Sequence, residues 1–262
     1  MKLLLSALFL AAILLACKSN TKTETQTETL PDSTDMAAAP VRKEPAPFAG
    51  DWLNEKYYNL IMDKHSPRDA QEKVENVFIQ IPAHMNDTTV MVYGFHESGP
   101  ELVVVKKNKE YGLWEVQGDS VAFAVHPVGP DTLLLGKDRF RRIHSAHGSY
   151  GEALILEEIM FKGKYKLKGG GDVEFDHAGK VKGLGNYKYY RVLTDYLDAG
   201  LDVDQVWLGK TPDQDSMDYY GFKMNDKTLK IFNLKCLEYN KQDKRCEQVN
   251  FGKLAYQLTK TE

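Results

Sequence analysis

Gly163-Lys164-Tyr165-Lys166-Leu167-Lys168 sets lysine against Tyr165 and Leu167 in strict alternation. Side chains of an extended chain point to opposite faces in turn, so this period of two predicts a strand with one apolar and one wet face. The pattern spreads in both directions. Val173 and Phe175 alternate with Asp172, Glu174 and Asp176, and His177-Ala178-Gly179-Lys180 reads as the turn that follows. Tyr187, Tyr189, Arg191 and Leu193 continue the alternation, 203–208 forms a further strand, and Met224-Asn225-Asp226-Lys227 joins two strands as a hairpin. Leu254, Tyr256 and Leu258 form the last strand.

Upstream, Val77, Ile79 and Ile81 begin a series continued by 88–95, 101–106, 110–116, 120–126, 131–135 and 138–143. Turn residues separate them, among them Asn86-Asp87, Lys107-Asn108-Lys109, Gly118-Asp119 and Gly129-Pro130. Short strands at this spacing predict a mainly β chain, an antiparallel meander forming a barrel or two packed sheets. Leu53, Tyr57, Leu60 and Ile61 have helical spacing instead, which predicts a short N-terminal helix over 52–64 with Asp51 as its cap and Ser66-Pro67 as its stop. Residues 150–160 read as a second short helix or a further strand, with the helix favoured. Phe48-x-Gly50-x-Trp52 and Phe161-x-Gly163-x-Tyr165 repeat one pattern, which suggests two half-domains joined near 145–160.

The N-terminus carries a different message. Lys2 precedes an apolar run from Leu3 to Ala16, too short for a comfortable membrane span, and Leu14-Leu15-Ala16-Cys17 ends it. This segment resembles the lipobox of bacterial lipoproteins. The resemblance implies a signal peptide over 1–16, a diacylglycerol on Cys17 and attachment to a membrane. Lys18 in place of Asp implies the outer membrane, and Ser19-Asn20-Thr21-Lys22 lacks an acidic surface-export cluster, so the periplasmic face is expected. Two or three acyl chains make such an anchor effectively permanent.

Residues 17–47 read as a disordered linker. Thr alternates with polar residues from Thr21 to Thr29, Pro31, Pro40, Pro45 and Pro47 follow, and too little apolar surface is present to offset the entropy of ordering. As a coil it reaches about 30 Å. The β-rich domain is expected over 48–262.

Gly50-Asp51-Trp52 ahead of a long meander resembles the calycin group, which includes lipocalins, and the second half resembles lipocalin-like lipoproteins of Bacteroidota. The resemblance implies a lipocalin-like barrel that binds a small apolar or amphipathic ligand. Trp52, Tyr165, Tyr187 and Tyr189 are the candidate pocket-lining residues. The alternative function is an interaction or inhibitor module for another envelope protein.

With Cys17 acylated, Cys236 and Cys246 form an even remainder in an exported chain, which predicts a disulfide. Closing this loop contributes about 2.8 kcal/mol in the chain-entropy model. Formal charge is −3, and loss of Lys2 with the signal makes it −4, with no basic cluster that calls for nucleic acid. No cofactor or metal is expected. His144 and His147 lack a zinc-protease pattern, Gly148-Ser149-Tyr150-Gly151 is not a nucleophile elbow, and Asp213, Asp215 and Asp218 lack the rest of a calcium loop. A hydrolase is the least favoured reading, and no catalytic residue is assigned.

Overall fold

The computed structural model describes residues 44–71, 73–85, 90–94, 101–116, 121–144, 147, 154–196 and 201–262. Cys17 and the stretches expected as signal peptide and linker, as far as residue 43, lie outside the described residues. The chain is mainly β and antiparallel, with few helices. The first sheet contains β1 (Gly50–Asn54), β2 (Phe78–Ile81), β3 (Met91–Tyr93), β4 (Leu102–Lys107), β5 (Glu110–Glu115), β6 (Val121–Gly129), β7 (Thr132–Leu135) and β8 (Asp138–Ile143). The second contains β9 (Gly163–Leu167), β10 (Asp172–Phe175), β11 (Val181–Lys182), β12 (Tyr189–Val192), β13 (Gln205–Gly209), β14 (Asp218–Met224), β15 (Thr228–Asn240) and β16 (Arg245–Lys260).

Both sheets have one plan. Their orders are β3-β2-β1-β8-β7-β6-β5-β4 and β11-β10-β9-β16-β15-β14-β13-β12. In each, strands consecutive in sequence pair, except the two that end the order, and the first strand also pairs the last. The two end strands then meet at a single bridge, Val90 to Leu102 in the first sheet and Lys180 to Tyr189 in the second. Each meander therefore curls back onto its own edge, which removes most of the open edge an antiparallel sheet otherwise exposes.

The same device pins the start of each sheet. Trp52 Nε1 donates to Phe48 O at 2.9 Å, and Tyr165 OH donates to Phe161 O at 2.9 Å. A cation from the last strand lies over each ring, Arg142 at 4.3 Å from the Trp52 centroid and Lys260 at 5.9 Å from that of Tyr165. Gly50 and Gly163 adopt φ of +129° and +149°. A Cβ at Gly50 would meet Arg142 Nη1 at 2.7 Å, and one at Gly163 would meet Lys260 Cε at 2.9 Å. Only glycine lets the backbone turn there while the cation stays close.

Three sequence expectations are corrected. Glu44 to Pro47, expected as the end of the linker, lie against the chain beside β2, where Ala46 N donates to Ala83 O and Met85 N to Glu44 O. The first helix, α1, spans Glu55–Lys64 and not 52–64. Trp52 and Leu53 pair with β2 and β8 at once, so sheet formation overrides the helical spacing. The cap is Asn54, whose Oδ1 accepts from Lys56 N and Tyr57 N, and Asp51 lies within β1. Thirdly, Tyr190, not Tyr189, points into the second sheet, since Tyr190 faces Leu208 and Val192 faces Val206 on β13.

α1 is followed by α2 (Pro67–Gln71), with His65 in the left-handed conformation between them. Tyr57, Ile61 and Ala70 from these helices join Leu53, Phe78 and Ile143 in one core with the second-sheet interior. The region expected as a second helix holds one π-helical turn, Glu157–Phe161, closed by Lys162 N to Glu157 O at 3.0 Å.

Candidate functional site

The last hairpin outruns its sheet. β15 pairs with β14 only from Leu229 to Asn233, and β16 pairs with β9 only over Leu258–Lys260. Leu234–Asn240 therefore continues with β16 alone, an arm of about 23 Å at the usual strand rise. Cys236 and Cys246 are disulfide-bonded across it, with Cα atoms 5.7 Å apart. Asn240 shapes the tip, its Oδ1 accepting from Gln242 N at 2.9 Å and Asp243 N at 3.2 Å. Lys223 lies 4.5 Å from the Phe251 ring centroid at the root, where Phe232 and Phe251 pack at 5.1 Å. Leu237 and Tyr239 on the arm are 49% and 57% exposed.

The expected pocket residues do not converge. Trp52 and Tyr165 are each 1% exposed, sealed by the ties described above. Burial pushes the Tyr165 hydroxyl well above its ordinary pKa. Tyr189 is half-buried at the bridge to Lys180. Tyr187 is half-buried and takes part in a small cluster absent from the sequence reading. Its hydroxyl donates to Asp218 Oδ2 at 2.7 Å and lies 2.8 Å from Tyr220 OH, with Tyr256 stacked edge-on beyond Tyr220 at 6.4 Å. Burial first, then these hydrogen bonds, raise its pKa.

The interiors of both sheets are filled by side chains. Phe48, Trp52, Leu113, Leu133 and Phe140 are among those filling the first. In the second, Phe161 contacts Phe175, Tyr190 and Phe222 with ring centroids 5.1–5.7 Å apart. An open groove of about 580 Å³ lies outside both, beside α1, where Arg139 Nε meets Glu55 Oε2 at 2.8 Å. None of the four expected aromatics lines it.

A set of polar groups sits where α2 meets the β12–β13 connection. Arg68 N donates to Asp204 Oδ1 at 3.0 Å, Gln71 Nε2 to Asp195 Oδ1 at 3.1 Å, and Tyr196 N to Gln71 Oε1 at 2.6 Å. Desolvation raises the Asp204 pKa. Glu157 is buried and accepts from Val192 N at 2.8 Å. These bonds satisfy backbone and hold the helices to the second sheet, which is a structural use of polar groups.

His147 Nε2 lies 3.1 Å from Asp51 Oδ2 and 3.3 Å from Gln80 Nε2, while His144 is exposed. Among the described residues no group of three His, Cys, Asp or Glu side chains is placed to hold a metal. Asp213, Asp215 and Asp218 spread around a 3₁₀ turn, with Asp213 capping it and Asp218 turned to Tyr187. No helix among the described residues is long and apolar enough to cross a membrane.

The fold and these contacts define a mainly β, antiparallel protein with one disulfide-stapled arm. Comparison with known proteins finds no matching family model, no matching curated protein and no matching solved structure.

Proposed function

We propose that this chain is a lipid-anchored, non-catalytic binding module of a bacterial outer membrane, facing the periplasm and engaging another envelope protein through its arm. The anchor is the lipobox cysteine Cys17. The observation that carries the contact is the β15–β16 hairpin, which outruns its neighbours, is stapled by Cys236–Cys246 and exposes Leu237 and Tyr239. A rigid element loses less entropy on binding than a flexible loop. Filled sheet interiors favour contact at the surface over carriage inside. A photoreactive benzoylphenylalanine at Leu237 or Tyr239, in cells of the natural host, is expected to give one discrete adduct. The same label at Lys227, in the turn at the other end of β15, is expected to give none. Equal labelling from all three positions, or none, defeats the proposal.

A second reading, a small amphipathic ligand, draws support from the half-buried Tyr187, Tyr220 and Tyr256 beside Asp218. Native mass spectrometry of the delipidated chain, purified from its own envelope, tests it. A bound small molecule lost on replacing Tyr220 supports it, and a chain of bare mass removes it.

A further inference from the structure

The two outward edges of the arm are treated differently. On β16, side chains cap the backbone: Asp202 Oδ2 accepts from Val249 N at 3.1 Å and Asn250 Oδ1 from Phe251 N at 2.7 Å. Such caps occupy the donors a further strand would use. On β15, past Asn233, neither a strand nor a side-chain cap meets the outward edge among the described residues. The disulfide joins β15 to β16 and leaves that edge free.

We infer that the outward edge of Leu234–Asn240 receives an extended, acidic segment of the partner, which adds to the second sheet as a further strand. Strand addition draws affinity from main-chain hydrogen bonds and selectivity from the flanking side chains. The flanking charges favour an acidic occupant. Lys235 and Lys241 flank Glu238 along the β15 edge, and over the whole arm and its tip Lys235, Lys241, Lys244 and Arg245 stand against Glu238, Asp243 and Glu247, on a chain whose overall charge is negative. Asp243 and Glu247 are both engaged by Asn240 Nδ2, at 2.9 and 2.5 Å, away from the β15 edge charges. Leu237 and Tyr239 supply apolar surface beside the incoming backbone. The inference rests on the arm being the contact surface proposed above.

Amide exchange on the full lipidated chain in detergent tests it, with a twelve-residue peptide of alternating valine and glutamate as the probe. Exchange across Leu234–Asn240 is expected to slow at least tenfold with this peptide. A valine–lysine peptide, or the acidic peptide N-methylated along one edge, is expected to have little effect. In the K235E/K241E variant, both substitutions at exposed sites, the preference between acidic and basic peptides should invert. No protection, or equal protection by both peptides, overturns the inference. Protection in phosphatidylglycerol but not phosphatidylcholine vesicles, with no peptide effect, assigns the arm to a bilayer and also overturns it. Discrete adducts from Leu237 with no peptide protection would leave the binding module standing and remove strand addition alone.

Discussion

Phe161→Ala tests whether the second sheet encloses a packed core or space for a ligand. Phe161 is fully buried and meets Phe175 and Phe222 edge-on and Tyr190 in a stack. Truncation removes the ring from three aromatic contacts and leaves a cavity whose walls are other strands. Loss of a buried Phe costs about 3–5 kcal/mol when the surroundings cannot collapse. For a domain of this size each kcal/mol corresponds to about 2–4 °C, so a fall of about 6–20 °C in melting temperature is expected. Urea unfolding, followed by tryptophan fluorescence and far-ultraviolet circular dichroism, measures the loss directly. Trp52 and Trp114 report on the first sheet and Trp207 on the second. Leu237→Ala on the exposed arm is the control and should stay within about 0.5 kcal/mol. A cost below about 1 kcal/mol for Phe161→Ala would mean that the interior is not packed as described, and the case for surface binding would weaken with it. Phe140→Ala extends the test to the first sheet. The core formed by Tyr57, Ile61, Leu53 and Phe78 with the second-sheet residues joins the two sheets. Both variants should therefore lower one shared transition, and two separable transitions would refute that coupling.

Reducing Cys236–Cys246 should speed amide exchange across Leu237–Val249 and leave β4–β8 unchanged, as the staple lies outside both cores; equal acceleration of the cores would contradict this. Asp204 has a raised pKa in the folded state, chiefly through desolvation, so its contribution is fully present below the ordinary Asp value near 3.8 and is lost as pH rises through the raised one. Asp204→Asn keeps an acceptor for Arg68 N and should gain stability relative to wild type across that rise, and a difference that does not vary with pH would argue against the desolvation account. Gly163→Ala forces a Cβ onto Lys260 Cε and Glu262 O at a φ of +149°, and should cost more than about 1 kcal/mol in chemical unfolding; a neutral result would show the tie to be slack.

The strands from β4 to β8 are legible because each is short, alternates cleanly and ends at a turn whose chemistry is local. Asn108 and Lys109 take positive φ between β4 and β5, as that turn requires. β1 is harder to read. Leu53 belongs by spacing to the helical stripe of Tyr57 and Ile61, and only its pairing with β2 and β8 makes it a strand residue. β12 is misread by one residue because Tyr187, Tyr189 and Tyr190 offer tyrosines of both parities, and β13 chooses between them. The cysteine pair is visible from an even count, but the arm is not. Its length depends on where β14 and β9 stop, and its capped edge depends on Asp202, which is 47 residues from Val249. No local pattern carries that information.

The two sheets share an order, a bridge between their end strands and a tie in which a cation on the last strand covers an aromatic residue on the first. That common device explains why a Phe-x-Gly-x-aromatic pattern recurs at Phe48 and Phe161. Phe offers the carbonyl, Gly admits the cation, and the aromatic residue donates to the carbonyl beneath it. What the halves do not share is more informative about activity. In the first sheet the hairpin equivalent to the arm, β7–β8, is four and six residues long; β7 pairs with β6 along its whole length and β8 with β1 over all but its first two residues. In the second, β15 and β16 are thirteen and sixteen residues long and carry the staple. Curling a meander back on its first strand does not require that added length, since the first sheet does so without it. Added strand exposes backbone edge and apolar side chains, which alone favours aggregation. A disulfide and two side-chain caps on β16 limit that exposure to one edge, and selective protection of this kind is what supports the proposal of a partner at the remaining edge.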